Sequence, residues 1–576
     1  MLTKEASGGG GAPLLPNLAG SNPIFVGGSR GDAPVGWADR SIWWGVPPPQ
    51  ILRFAQIDTG GVETMTTTQA PPDIKRTLDV SAAKGAYTGQ RYVESLRDGR
   101  EVWLNGEKVK DVTTHPAFAG AIREFCRLYD LQHSPALRDQ MTLVSPETGN
   151  RVSYSWLVPR TPDDLRAKWH NSEIWMEQSW GQLGRTPDFM AGVLVGWHHI
   201  QDQLNRVNPM FGENVVHFHR YAMENDLSLT HAIGDPQINR ADVFRGPVED
   251  PDMALRVVRE SSEGIVIRGA KQLATLAPIS NEIMVYLSAT FSRRAKDEFV
   301  QWFSIPMNAP GLKILCREPL SLSVTGHSLP LASRFDEQDA MVFFDDVLIP
   351  WERVFMLYDR EAAVRLMGAA MVMGGLNSSA IRFYSRLQTY VGVTTMIAEA
   401  IGVDGFPEVR EKLGELVMYS EICRLAMNSI KAEAEDRLGK GGGRPQPGTF
   451  VPGLFTYAAQ ISGRVAQILR EIGGSGLIMQ PSEADLANPE LRPYLERYMR
   501  GADVSVDYKS RLMRLGFDLT ISSFANRQEL YEYWHGGDPT RNRTNIYLRH
   551  DRSRVVDRLR RLISEPESDF GVDQTG

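Results

Sequence analysis

The chain has 576 residues, 42% hydrophobic and 23% charged, with 63 Lys and Arg against 70 Asp and Glu for a net charge of −7. This composition excludes a fibrous or wholly disordered chain, and the mildly negative balance gives no general attraction to nucleic acid or to an anionic membrane. The three cysteines, Cys126, Cys316 and Cys423, stand too far apart for a disulfide framework or a cysteine-rich zinc site.

Residues 1–84 read as a low-order N-terminal extension. Gly8–Gly11, Pro47–Pro49 and Pro71–Pro72 carry little periodicity, so the segment buries too little apolar area to offset its ordering entropy. Trp43 and Trp44 within it are candidates for a docking element, or contact little. A start at Met65 is an alternative, because Gly60–Glu63 needs G-rich codons resembling a ribosome-binding sequence. No basic segment followed by an apolar core opens the chain, and no apolar run approaches the roughly 18–20 residues of a membrane span. With the cysteine usage, these features point to the cytoplasm.

A mainly helical domain is expected over 85–228. A helical pattern begins at Tyr92–Leu96. Asn105-Gly106 between alternating runs predicts a hairpin, since both central residues of a type I′ turn need positive φ. His115-Pro116 opens a helix to about Leu131, and 162–227 is mostly helical with a break at Gly184–Pro187.

From 229 to 355 the texture becomes that of a compact β domain. Gly264–Arg268, Ile283–Ser288, Phe299–Ile305, Leu312–Leu315 and Ala340–Phe344 are short β-rich runs between turn residues. Over 356–576 a helical bundle and tail return, at Ala362–Ser379, Arg382–Glu399, Pro407–Arg437, Phe455–Ile472 and Pro489–Leu515, with Gly441–Gly448 as a flexible connector.

Familiar motifs are missing. No G-x-G-x-x-G opens a helix after a strand and no P-loop occurs, which argues against Rossmann and P-loop chemistry, and Gly474-Ser475-Gly476 lacks the spacing of a serine-hydrolase elbow. His198-His199 and His217/His219 have no carboxylate at ligand spacing, so no metal is expected.

The informative segments are others. Gly184–Phe189 puts Arg185 at a Pro-defined helix start, either as ordinary helix-start chemistry or facing a pocket to hold an anionic oxygen. His231 opens the β region ahead of Gln237–Arg240, and a lone His at such a junction is more often structural. Thr275 either closes a turn or bonds a heterocycle edge. Ser333–Asp339, ahead of a strand and the run Asp346–Glu352, reads as a structural turn leading into an edge strand. Gly473, Gly474 and Gly476 form a helix C-cap or let backbone N–H groups approach a phosphate. Trp534–Gly537 is a second small-residue turn, with aromatics that could stack on a ring.

Taken in order from about Tyr87 to Gly537, these segments resemble the reduced-flavin-dependent aromatic hydroxylases typified by the large component of 4-hydroxyphenylacetate 3-monooxygenase. The stretches that carry the resemblance are Asp98–Phe118, Gly184–Asp188, His231–Ile233, Gly269–Lys271 with Ala274-Thr275, Ser333–Asp339 with Val347–Glu352, Ser475–Ile478 and Glu529–Glu532. The resemblance implies an acyl-CoA dehydrogenase-like fold, mainly α with a central β-barrel domain. It implies FAD arriving as diffusible FADH2 from a separate NAD(P)H:flavin reductase, O2 as co-substrate, and a homotetramer. The reaction it implies is ortho-hydroxylation of a phenol through a flavin C4a-hydroperoxide.

It also implies a site. Arg185 and His231 would act on the phenolic oxygen, Arg185 by favouring the anion and His231 by exchanging the proton near its ordinary pKa of about 6.5. Phe189, Tyr286 and Leu287 would line the substrate. His231, Ala232, Ile233, Gln237, Ile238, Asn239, Arg240, Thr275, Trp534, His535, Gly536 and Gly537 would contact the flavin. Phe189 departs from the tyrosine that relatives acting on simple phenols often carry, and cannot donate a hydrogen bond. Trp534 and His535 depart from more polar residues. The same fold also hosts acyl-CoA dehydrogenases and a cluster-containing dehydratase, which remain alternatives, as does a non-catalytic scaffold.

Overall fold

The computed structural model describes residues 74–238, 251–287, 297–322, 324–373, 375–440 and 450–564, all within one compact unit, Ala70–Gly576. Trp43, Trp44, Met65, Asn239, Arg240 and the Gly441–Gly448 connector lie outside the described residues. Residues 74–84, assigned by sequence to the extension, are tied down. Arg76 Nη1 donates to Asn214 Oδ1 at 2.7 Å, and the Thr77 amide donates to Glu352 Oε2 at 2.8 Å.

The N-terminal helices share one start signal, a cap residue followed by proline. His115, Thr161, Thr186 and Asn208 precede the helices Pro116–Leu131, Pro162–Gln178, Pro187–His199 and Pro209–Asn225. Proline suits the first position because its φ is already helical and its missing N–H is one the helix leaves unpaired. Asp226 ends the last of these helices at φ 50°. Its carboxylate accepts from the Tyr87 amide, the Gln132 amide and the Trp156 indole, at 2.8, 2.9 and 2.8 Å, so one residue ties four segments together.

The expected hairpin forms, with β1 (Val102–Leu104) and β2 (Glu107–Val109) joined by Asn105 at φ 50° and Gly106 at φ 82°. A second hairpin joins β3 (Thr142–Val144) to β4 (Arg151–Ser153). The middle region adds β5 (Leu229–Ala232), β6 (Arg256–Glu260), β7 (Gly264–Lys271), β8 (Glu282–Val285), β9 (Gln301–Pro306), β10 (Leu312–Cys316), β11 (Ala340–Pro350) and β12 (Val354–Leu357).

These strands build two sheets, ordered β2-β1-β10-β11-β7-β6 and β12-β9-β8-β5. The helix–sheet–helix order is the acyl-CoA dehydrogenase-like arrangement. The expected barrel is corrected, because neither sheet closes on itself among the described residues. Period-two patterning assigns faces to strands but does not say which edges meet. The edge-strand expectation is corrected too: over Val342–Phe344, β11 pairs with β10 on one side and β7 on the other, so it is central there, and after a bulge at Asp346 (φ 53°) it continues against β7 alone.

The C-terminal bundle centres on the Gly375–Ala400 helix. It packs on Pro407–Gly439, Phe450–Gly473 and Val506–Thr520, and reaches back to Pro162–Gln178 and Pro187–His199. The long helix expected at Pro489–Leu515 is two, Arg492–Tyr498 and Val506–Thr520. The Gly501 amide turns to the Val504 carbonyl, and Ser505 then caps a new start. Gly473 ends its helix, with Gly474 following at φ 52°, as a C-cap does.

Candidate functional site

Arg185 lies between two helices that the chain joins by a tight reversal, with Trp180 at φ 51° and Gly181 at φ 65°. Its amide donates to Glu337 Oε1 at 2.7 Å, which pins the backbone. Its guanidinium donates through Nη1 to the Tyr531 hydroxyl at 2.8 Å and faces His231 Nε2 through Nη2 at 2.8 Å. The same group lies over the Phe189 ring, 4.2 Å from its centroid. The side chain is buried, and Nε is shielded from solvent without a hydrogen-bond partner among the described residues.

His231 and Tyr286 meet because β5 and β8 run parallel with His231 opposite Met284. Tyr286 is two residues further, so it points to the same side as Met284 and reaches its diagonal neighbour. His231 Nδ1 lies 2.5 Å from the Tyr286 hydroxyl. Arginine only donates, so Nε2 is the acceptor and the neutral ring carries its proton on Nδ1, facing Tyr286. Burial and the adjacent Arg185 charge hold the His231 pKa well below its ordinary value. The expectation of a titration near 6.5 is therefore corrected: at neutral pH the imidazole is uncharged. Burial likewise holds the Tyr286 phenol in its protonated form.

The third wall comes from the Ser523–Trp534 helix and the turn after it. Arg527, Tyr531 and His535 recur every four residues and share a face. Tyr531 stacks on His535 with centroids 4.5 Å apart and planes at 10°. His535 also contacts Phe189 at 6.2 Å and Phe455 at 5.6 Å. Behind this wall Arg527 pairs with Glu337 at 2.9 Å and with Asp339 at 2.7 Å. Burial works to raise the Asp339 pKa, but Arg527 and Arg317 beside it pull it down to about 2. Arg382 pairs with Glu532 at 2.6 Å, both almost fully buried.

Arg185, Phe189, His231, Tyr286 and His535 are thus brought into one cluster. Thr275 lies at its margin, its hydroxyl donating to Asp339 at 2.8 Å. Ala232 and Leu287 are buried and Ile233 half-buried, whereas Gln237 and Ile238 are exposed. Trp534 turns away from its neighbour His535, is 49% exposed, and packs on Tyr533. Gly536 and Gly537 form the turn that follows.

Sequence reasoning missed Tyr531, Glu337 and Arg527. The four-residue spacing of Arg527, Tyr531 and His535 was the available signal. Gly184 was read only as part of a motif. A Cβ there would lie 2.8 Å from the Tyr531 ring, so this glycine admits the ring against the backbone. We expect Gly184→Ala to displace Tyr531 and lower turnover at least tenfold with little loss of secondary structure, as checked by steady-state kinetics and circular dichroism.

The residues present fit a flavin. The run from buried His231 to exposed Ile238 spans at most about 25 Å at the reach of an extended chain. It grades from a buried interior to solvent, as a planar head with a charged tail requires. Arg185 Nε and His535 Nε2, shielded and without a hydrogen-bond partner among the described residues, leave polar atoms for a ligand. Among the described residues, no group of three or more His, Cys, Asp and Glu is arranged to hold a metal ion.

Buried neutral histidines also set an acid limit. Burial lowers the pKa of His231 and His535 well below the ordinary value and that of His219 to about 3. The unfolded chain takes up these protons near pH 6.5, before the folded one does. Stability from each is therefore complete above that pH and is lost below it at about 1.4 kcal/mol per pH unit. The urea midpoint should fall between pH 6.5 and 5, with a shallower slope in His219→Gln.

Comparisons with known proteins show the family to which the chain belongs. The description "4-hydroxyphenylacetate 3-hydroxylase N terminal" matches residues 88–356, and its C-terminal counterpart matches 368–564. The 4-hydroxyphenylacetate 3-monooxygenase oxygenase component of Thermus thermophilus is 36% identical over 491 residues, covering 83% of this chain and 98% of the relative. The oxygenase component of 4-nitrophenol 2-monooxygenase from a Rhodococcus species is 34% identical, covering 78% and 86%. The solved 4-hydroxyphenylacetate 3-monooxygenase oxygenase component complexed with FAD and 4-hydroxyphenylacetate has a TM-score of 0.76 at 34% identity, covering 84% of this chain and 99% of that one.

Proposed function

This chain belongs to the 4-hydroxyphenylacetate 3-hydroxylase family, and we propose from that membership and its buried Arg185–His231 pair how it works on a phenol. It is a reduced-flavin-dependent aromatic monooxygenase, the oxygenase component of a two-component system. FADH2 supplied by a separate reductase activates O2 when bound, and one oxygen atom enters the aromatic ring ortho to the hydroxyl.

The protein's own residues prepare the ring. Arg185 donates to the phenolic oxygen and favours its anion, which makes the ring electron-rich. His231 Nε2, held as an acceptor by the Nδ1 contact to Tyr286, takes the phenolic proton. The resulting imidazolium is buried, and the phenolate beside it offsets that charge. Trp197 excludes water behind Tyr286, stacked on Trp302 at 5.2 Å and edge-on to Phe355 at 5.6 Å.

Ala232, Ile233, Gln237, Ile238, Asn239, Arg240, Thr275 and Trp534–Gly537 would hold the flavin, with Phe189, Tyr286 and Leu287 on the substrate. We further propose cytoplasmic localisation and a homotetramer. No helix among the described residues is long and apolar enough to cross a membrane. Val417, Met418, Ile422 and Leu425 form an exposed apolar stripe on the Pro407–Gly439 helix, which supports self-association. The division into 85–228, 229–355 and 356–576 is part of the same reading, supported by the change from strands to long helices after Leu357.

The test is a panel of phenols with enzymatically supplied FADH2 and O2, read by product mass and peroxide yield. No oxygenated product from any phenol would overturn the reading. A related prediction concerns Phe189→Tyr. A hydroxyl donor added to this wall should raise kcat/KM for small phenols several-fold, and an unchanged value for every phenol would count against Phe189 as a substrate contact.

A further inference from the structure

We infer that Arg527 is a positioning residue that couples the two halves of the site. It holds the Thr275 hydroxyl through Asp339 and the Arg185 backbone through Glu337, so that FADH2 and the phenol bind with positive cooperativity. The inference rests on the reading of Thr275 as a flavin contact and of Arg185 as a phenol contact.

One guanidinium serves two carboxylates. Arg527 donates to Asp339 through Nε at 3.0 Å and Nη2 at 2.7 Å, and to Glu337 Oε2 through Nη1 at 2.9 Å. The other oxygen of Glu337 accepts from the Arg185 amide at 2.7 Å. Asp339 Oδ1, the atom that Nη2 reaches, also accepts the Thr275 hydroxyl at 2.8 Å. A continuous relay therefore runs from the Thr275 hydroxyl to the Arg185 amide, and Glu337 within it is fully buried. Thr275 is laced to the segment that carries both carboxylates. The Leu276 amide donates to the Gln338 carbonyl at 2.7 Å, and the Ala274 amide to the Ala340 carbonyl at 2.9 Å. Arg527 also lies over the Tyr531 ring at 5.6 Å, and the Tyr531 hydroxyl accepts from Arg185 Nη1. The same guanidinium thus supports Arg185 at its backbone and at its side chain.

The sign of the coupling follows from the shared oxygen, Asp339 Oδ1. A hydroxyl has one donor and two lone pairs, and the Thr275 donor is committed to Asp339, so its lone pairs are what a ligand meets. A ligand donor on those lone pairs polarises the O–H and strengthens its bond to Asp339, because hydrogen bonds in a chain reinforce one another. Asp339 then draws less on Nη2, and more of the Arg527 charge acts on Glu337. Glu337, held harder, fixes the Arg185 backbone, and a fixed guanidinium loses less freedom on taking the phenol. By linkage the phenol tightens FADH2 binding by the same factor.

The test uses the full-length protein without O2. Fluorine NMR of 4-fluorophenol and of 3-fluoro-4-hydroxyphenylacetate gives both the affinity and the ionised fraction of the bound phenol, with and without saturating FADH2. FADH2 should tighten phenol binding by about fivefold or more in the wild type. In Arg527→Lys, a point charge that cannot fork across two carboxylates, the factor should fall below about twofold, with a smaller ionised fraction. Thr275→Val removes the far end of the relay without leaving a buried charge unpaired, so it serves if Arg527→Lys does not fold. It should lower the factor as much, and the double variant should lose no more than either single one. Arg317→Lys is the control. Arg317 reaches Asp339 at 3.1 Å but not the Glu337 carboxylate, so its variant should keep the factor. No coupling in the wild type, coupling intact in Arg527→Lys or Thr275→Val, or an equal loss in Arg317→Lys would each overturn the inference. Failure of the wild type to bind FADH2 or either phenol would instead overturn the reading of the site on which it rests.

Discussion

Arg185→Ala should reduce coupled hydroxylation by about 10²–10⁴-fold while flavin oxidation continues, so that the oxygen consumed appears as H2O2. The guanidinium has three tasks at once, and alanine removes them together. It donates to Tyr531, faces His231 Nε2 and covers Phe189. Without it, the buried phenolate loses one of the two cations beside it, and more of the phenol stays protonated and less electron-rich. The His231 pKa should rise as well, since the Arg185 charge is one of the causes that hold it down. Arg185→Lys is the informative control. It keeps the charge but not the planar fork that reaches two partners, so it should recover part of the coupling and not all. The measurement is product against peroxide per FADH2 oxidised. Coupling within a few-fold of wild type in Arg185→Ala would remove Arg185 from the mechanism.

The parts of this site differed in how legible they were in the sequence. Proline-led helix starts and the Asn105-Gly106 turn are local, so short-range chemistry decided them. Arg185 and His231 stood in recognisable segments, but nothing in those segments says that they touch. Their 2.8 Å contact depends on how β5 is placed against a helix start, and sequence spacing does not encode that. The neutral state of His231 was invisible for the same reason, because burial and a neighbouring charge are tertiary properties. Tyr531 shows the converse. It lay inside a recognised stretch, yet its function appears only once Gly184, remote in the chain, leaves room for its ring. The barrel and the edge strand were misjudged because which strands meet is a global property that period-two patterning does not carry.

The ion network behind Tyr531 gives the largest expected effect on stability. Arg382 and Glu532 lie 2.6 Å apart with side chains 1% and 3% exposed, and Arg386 approaches the other carboxylate oxygen at 3.5 Å. Glu532→Ala would leave two buried guanidinium groups facing each other without a counter-charge. Removing one partner of a buried pair costs on the order of 3–5 kcal/mol, against about 0–1 kcal/mol for an exposed pair. The exposed Arg166–Glu435 pair at 2.9 Å is the internal comparison, and Glu435→Ala should barely move the urea midpoint. Glu532→Ala should lower it clearly. The damage should also reach the site, because Arg382 lies over the Tyr531 ring at 4.9 Å and donates to the Gly181 carbonyl at 3.1 Å. A displaced Arg382 loosens both the Tyr531 wall and the reversal that presents Arg185, so peroxide yield should rise even at temperatures where the variant stays folded. Replacing both members by apolar residues, Arg382→Met with Glu532→Leu, should cost less stability than Glu532→Ala alone, because one buried guanidinium, Arg386, is left without Glu532 in place of two. A double variant less stable than the single one would show that the pair contributes through its hydrogen bonds to the backbone rather than through charge balance.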